Sequence, residues 1–101
     1  MMIALQQTEE FEDWLDGLAD RKAQGVIRDR LLRVEGGNVG NAKPVGGKVA
    51  EMIVDYGPGY RLYFTRMGLA IVVLLCGGSK RSQVRDIKRA MVMAAEVWAA
   101  E

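Results

Sequence analysis

Eight consecutive apolar residues, Leu69 to Cys76, run between glycines at 68 and 77. A stretch of that length is far too short to cross a bilayer as a helix. Bounded by turn residues and rich in Val, Ile and Leu, it reads as a β-strand covered on both sides or centrally placed in its sheet. The rest of the chain must therefore supply neighbouring strands and covering layers. Its 101 residues are half apolar, with only two prolines, enough to bury one core in a single domain spanning 1–101.

The remaining elements follow from local pattern. Ile3 and Leu5 alternate with polar neighbours in a short opening strand. Thr8 is a helix cap, Glu9 and Glu10 suit the positive end of the helix dipole, and Phe11, Trp14, Leu15 and Leu18 form one apolar stripe. Asp20 caps a second helix whose inward residues are Ala23, Val26, Ile27, Leu31 and Val34, ended by Gly36 and Gly37. Residues 36–47, with five glycines, two asparagines and Pro44, read as a loop. Strands are predicted over Lys48–Tyr56 and Tyr60–Thr65, joined by Gly57-Pro58-Gly59. After the apolar strand and a loop at Gly77–Lys80, Ser82 caps a last helix carrying Val84, Ile87, Ala90, Met91, Ala94, Val97 and Trp98. Trp14 and Trp98 read as core.

The order β-α-α-β-β-β-α predicts an α+β fold with a four-stranded antiparallel sheet. In this reading the first strand pairs antiparallel with the last, and the helices pack on one face. The other face is left partly open, with basic residues at its rim.

Charge is distributed unevenly. Residues 1–20 hold Glu9, Glu10, Glu12, Asp13, Asp16 and Asp20 with no base, whereas 60–89 hold Arg61, Arg66, Lys80, Arg81, Arg85, Lys88 and Arg89 against Asp86 alone. The second region attracts polyanions. With no histidine in the chain, a histidine triad and a histidine-liganded metal are both excluded. No metal or other cofactor is expected. The single cysteine, Cys76, and the lack of a leader-like or spanning segment predict a cytoplasmic protein with no membrane partner.

Two constellations carry chemistry. In Tyr60–Phe64, strand alternation sets Arg61 and Tyr63 on one face and Tyr60, Leu62 and Phe64 on the other. An arginine in an aromatic strand needs a counter-charge. Either it pairs with Glu51 or Asp55 on the neighbouring strand, or its planar guanidinium clamps a phosphate. The second constellation, Gly77-Gly78-Ser79-Lys80-Arg81-Ser82-Gln83, sets two bases before a helix start, against the dipole. It is not a Walker motif.

Taken in order, Phe11-x-x-Trp14-Leu15-x-x-Leu18, Gly37-Asn38-Val39-Gly40, Gly57–Phe64, and Gly77–Gln83 followed by Asp86-Ile87 resemble the RelE/ParE toxin superfamily. The likeness is to its HigB-like, phage-derived addiction-module killer proteins, and it covers nearly the whole chain. The resemblance implies a two-layer RelE-like fold and a toxin neutralised by a co-encoded antitoxin, often of helix-turn-helix type. It also implies metal-independent cleavage of mRNA on the ribosome. Arg61 then stabilises the scissile phosphate, and Lys80 or Arg81 acts on the phosphate or leaving group, Arg61 and Lys80 being the expected catalytic residues. Lys43, Lys48, Tyr60, Tyr63, Arg66, Arg81 and Arg85 are the expected RNA contacts. The sequence departs from RelE at Glu51-Met52-Ile53-Val54, where RelE has lysines, and near Arg85, where RelE has a tyrosine. The alternatives are a ParE-like toxin that poisons DNA gyrase without catalysis and a non-toxic relative that still binds an antitoxin.

Overall fold

Two of the three anticipated caps form. Thr8 Oγ1 accepts the Phe11 N–H at 3.1 Å, and Asp20 Oδ1 accepts those of Lys22 and Ala23. They open α1 (Glu9–Asp16) and α2 (Arg21–Glu35) in a computed structural model that describes residues 1–101. Around these helices lie strands β1 (Ala4–Gln7), β2 (Ala42–Gly46), β3 (Val49–Val54), β4 (Tyr60–Met67) and β5 (Ile71–Ser79). A 3-10 turn at Lys80–Ser82 leads into α3 (Gln83–Ala99). Ser82 precedes α3, but its hydroxyl bonds the Asp86 carboxylate and caps no backbone amide. No helix is long and apolar enough to cross a membrane.

The sheet has five strands in the order β1-β5-β4-β3-β2, one more than the sequence pattern shows. The addition is β2, inside the glycine-rich stretch, which pairs antiparallel with β3 and is irregular between Pro44 and Gly46. Pro44 and such irregularity are tolerated because β2 lies at the sheet edge. The extra strand inverts the parity of every later one. β1 consequently runs parallel to β5, with Ala4 opposite Ile71 and Gln7 opposite Leu74, and the expected antiparallel pairing is corrected.

The helices do not share one face either. Phe11 and Leu15 of α1 and Ala23, Ile27, Leu31 and Val34 of α2 pack on Met52, Val54, Leu62, Phe64, Val72 and Leu74. Ala90, Met93 and Ala94 of α3 pack on the opposite side, against Val49, Tyr63, Val73, Leu75 and Cys76. Each fully buried Leu or Phe in these layers contributes about 1.5–3 kcal/mol. Cover on both sides is why Ile71–Cys76 is apolar throughout; Leu69 and Ala70, expected in the same strand, lie instead in the exposed turn before it. A bulge between Tyr63 and Phe64 puts Leu75 and Cys76 together on the α3 side.

Gly77 and Gly78, expected as loop residues, end β5 and are pinned from opposite faces. A β-carbon at Gly77 would collide with the Trp14 ring, and one at Gly78 with the Asp86 carboxylate. The residues after α2 are tied down by Arg30, which the sequence reading left unassigned. Its buried guanidinium donates to the carbonyls of Val39, Asn41 and Ile53, of which the Asn41 carbonyl also accepts the Ile53 N–H.

Candidate functional site

Arg61 points to the α3 face of β4 with Tyr63, as the alternation requires, while Tyr60, Leu62 and Phe64 face α1 and α2. Of its two possible counter-charges, Glu51 is the one used: Arg61 Nε lies 3.9 Å from Glu51 Oε1, and Asp55 is exposed. Glu51 is fully buried, which is costly for a carboxylate without partners. Gln83, in the first turn of α3, donates from Nε2 to both of its oxygens at 3.1 and 3.0 Å. Lys43, opposite Glu51 across the β2–β3 pairing, brings Nζ to 3.7 Å. Three strands and one helix thus meet on a single carboxylate.

Lys80 joins Arg61 through the turn between β3 and β4. Its backbone N–H donates to the Gly59 carbonyl at 2.7 Å. Gly59 has φ +77°, which suits glycine, and a β-carbon there would sit 3.7 Å from Lys80 Cβ and 3.8 Å from Arg61 Nη1. Next to this junction, Ser79, Arg81, Ser82, Val84, Arg85 and Lys88 line an open depression. Arg85 is weakly engaged there, its Nε 3.8 Å from Asp86 and its side chain mostly in water. Lys88 belongs to the basic 60–89 region but is not among the expected contacts, although its i, i+4, i+7 spacing with Arg81 and Arg85 places it on the same side.

The other expected contacts lie elsewhere. Tyr60 is buried against the edge of Trp14, with ring centroids 6.1 Å apart. Tyr63 is fully buried beneath α3 and its hydroxyl has no hydrogen-bond partner. Burial first, then the charges of Glu51 and Asp86, hold its phenol well above the usual range, so it stays protonated. Lys48 and Arg66 sit toward the opposite end of the sheet. Arg66 is five residues from Arg61 along β4, about 17 Å at strand rise.

Lys48 serves the fold at that end. Its ammonium stands 4.0 Å above the Trp98 ring, its backbone has φ +63°, and its carbonyl accepts the Thr65 hydroxyl. Trp98 is half-buried, and its Nε1 donates to the same Thr65 hydroxyl, fastening the end of α3 to the β2–β3 turn. Arg66 donates to the Leu69 carbonyl within its own turn. No three His, Cys, Asp or Glu side chains are grouped as metal ligands would be.

No family model matches the chain. An uncharacterized protein of Haemophilus influenzae is 38% identical over 97 residues, covering 96% of this chain and 98% of the relative. The chain belongs to the family of that protein. Among solved structures, a mutant of the E. coli toxin RelE in the free state superposes with a TM-score of 0.66. That match covers 88% of this chain and 98% of RelE at 18% identity.

The fold is RelE-like. At that identity the likeness concerns the fold alone. In this RelE-like fold, Arg61, Lys80, Lys43, Arg81 and Arg85 gather at one end of the sheet, while Lys48 and Arg66 do not join them. The acidic helix α1 packs through Phe11 and Leu15 on the other face of the sheet. Its Glu10 makes a two-pronged bond to Arg89 of α3, and Arg89 in turn holds the Glu10 carboxyl below the usual range.

Proposed function

We propose that this protein is the toxin of a type II toxin–antitoxin pair, of the HigB-like branch, and that it blocks translation by cutting ribosome-bound mRNA. The observation that carries this reading is the meeting of Arg61 and Lys80 at Gly59, at the margin of the Arg81–Arg85–Lys88 depression. Two cations at one opening suit a phosphodiester whose negative charge grows in the transition state. The depression suits the flanking backbone phosphates.

The reaction in this reading is attack by the RNA's own 2′-hydroxyl on the adjacent phosphorus. The 5′-oxygen leaves and a 2′,3′-cyclic phosphate remains. Arg61 and Lys80 counter charge on the non-bridging and leaving oxygens. The site holds no histidine, and its lysines and buried Tyr63 are poor bases at neutral pH. The ribosome would hold the nucleotide in line, so that naked RNA is cut slowly. A co-encoded antitoxin, of helix-turn-helix type in this branch, would cover the basic end in the cytoplasm.

A second reading rests on Glu51, which already pairs with Arg61 and Lys43. A ParE-like gyrase poison or a non-toxic antitoxin binder would keep such a neutralised arginine for structure alone. Induced expression with transcript-end mapping, run beside a gyrase supercoiling assay, separates these readings. Arg61→Ala is expected to abolish growth inhibition in a folded protein, with a rate loss on the order of 100-fold or more. Toxicity surviving in the folded variant removes Arg61 from the chemistry. Products with 5′-phosphate and 3′-hydroxyl ends, or relaxed plasmid without cut transcripts, overturn the nuclease reading.

A further inference from the structure

The guanidinium of Arg61 faces a carboxylate on one edge, at ion-pair distance and without a hydrogen bond, and is open on another. Its Nε faces Glu51, 3.9 Å from Oε1, while its Nη1 lies beside Gly59 on the side where Lys80 stands. The Arg61 side chain is 13% exposed, so one part of it reaches solvent. Glu51 is itself held still, because Gln83 grips both carboxylate oxygens from the start of α3.

Two buried polar atoms on this face, Arg61 Nε and Tyr63 Oη, have no hydrogen-bond partner. Two carboxylates stand among three cations: Arg61 and Lys43 pair with Glu51, Lys80 is close by, and Asp86, over Gly78 beside Arg61, accepts the Ser82 hydroxyl. The group therefore carries more positive than negative charge in a partly buried setting, which favours an incoming oxyanion.

We propose that Glu51 and Gln83 are positioning residues for anion recognition. Gln83 fixes the Glu51 carboxylate, and Glu51 aims Arg61 so that its Nη end meets a phosphodiester oxygen at the opening between Gly59 and Lys80. The proposal rests on RNA as the ligand, the reading given above. It also gives Glu51 a task that simple electrostatics would not. An acid beside a phosphate site ordinarily repels the phosphate, so removing its charge should tighten binding. A positioning acid does the opposite, because its loss releases the arginine to other rotamers.

The difference in sign is the test. The probe is a short 2′-O-methyl RNA, which has no free 2′-hydroxyl to react, followed by fluorescence anisotropy at fixed salt. Glu51→Gln is expected to bind it more weakly, on the order of tenfold, despite the gain in positive charge. Gln83→Met is expected to weaken it in the same direction while leaving the protein's net charge unchanged. Thermal unfolding of each variant confirms the fold. If Glu51→Gln does not fold, Gln83→Met, at a half-buried position, carries the same expectation.

Equal or tighter binding by the folded variants overturns the proposal. So does a wild-type protein that does not bind the probe. If the wild type binds and Glu51→Gln weakens that binding, but no transcript is cut, the nuclease reading fails and the positioning role stands. If transcripts are cut while Glu51→Gln binds undiminished, only the positioning role fails.

Discussion

Pairing Arg61→Met with Glu51→Gln in a double-mutant cycle measures what the buried ion pair contributes to stability. At the observed 3.9 Å separation and an effective dielectric constant of about 20, the gross attraction is about 4 kcal/mol. Part of that is returned when the arginine is removed, because a cation only 13% exposed no longer has to be held out of water. Gln83 still bonds both oxygens of Glu51, and the more exposed Lys43 adds a solvent-screened attraction from 3.7 Å. The net coupling is therefore expected near 2 kcal/mol, in the range of residues that share one polar network. Arg61→Met alone should lower the midpoint of thermal unfolding by roughly 10 °C for a domain of this size. The double variant should lose about 2 kcal/mol less than the two single losses added together. Urea unfolding of the four proteins gives the coupling directly. A value under about 0.5 kcal/mol would mean that solvent screens the pair, and the argument that Glu51 aims Arg61 would lose its energetic basis.

Two further outcomes follow from buried groups away from the site. Arg30→Met removes the guanidinium donor from the carbonyls of Val39, Asn41 and Ile53, of which Asn41 keeps the Ile53 N–H, and is expected to cost about 3 kcal/mol in urea unfolding; a loss under about 1 kcal/mol would show that water replaces the guanidinium freely. Cys76 is pushed up to about 12, chiefly by burial and then by the Asp86 charge, so the folded state keeps a proton that the unfolded chain releases from pH 9 upward. Its contribution to stability is therefore full below pH 9 and is lost as pH rises toward 12, so Cys76→Val should flatten the fall of the urea midpoint between pH 9 and 11. An unchanged slope in that variant would assign the alkaline loss to other groups.

Much of the fold is written in local pattern. Thr8 and Asp20 start their helices by side-chain hydrogen bonds that need only the next three residues. The stripe of α1, the alternation of Arg61 and Tyr63 against Leu62 and Phe64, and the turn at Gly57-Pro58-Gly59 depend on nothing more distant. The sequence by itself also gives the likeness to RelE-type toxins, and solved structures bear this out at the level of the fold. It placed Arg61 and Lys80 among the chemistry-bearing residues and named Glu51 as one of two possible partners.

Tertiary structure decided the rest, because each remaining feature is a contact between distant segments. β2 has only Ala42 and Val45 as apolar residues and becomes a strand by borrowing hydrogen bonds from β3. Once it does, every later strand reverses, and β1 meets β5 in parallel. An amphipathic helix shows that it has a buried side but not which sheet face receives it, so α3 could be assigned to the far face only in three dimensions. Gly77 and Gly78 look like flexible loop residues until Trp14 and Asp86 close on them from opposite sides. The same holds at the site. Lys48 and Arg66 have the right charge but stand at the wrong end of the sheet, Lys48 in the β2–β3 turn. Tyr60 and Tyr63 have the right chemistry but are buried, and Gln83 matters only because the fold brings its amide to a buried Glu51 that is 32 residues away in the chain.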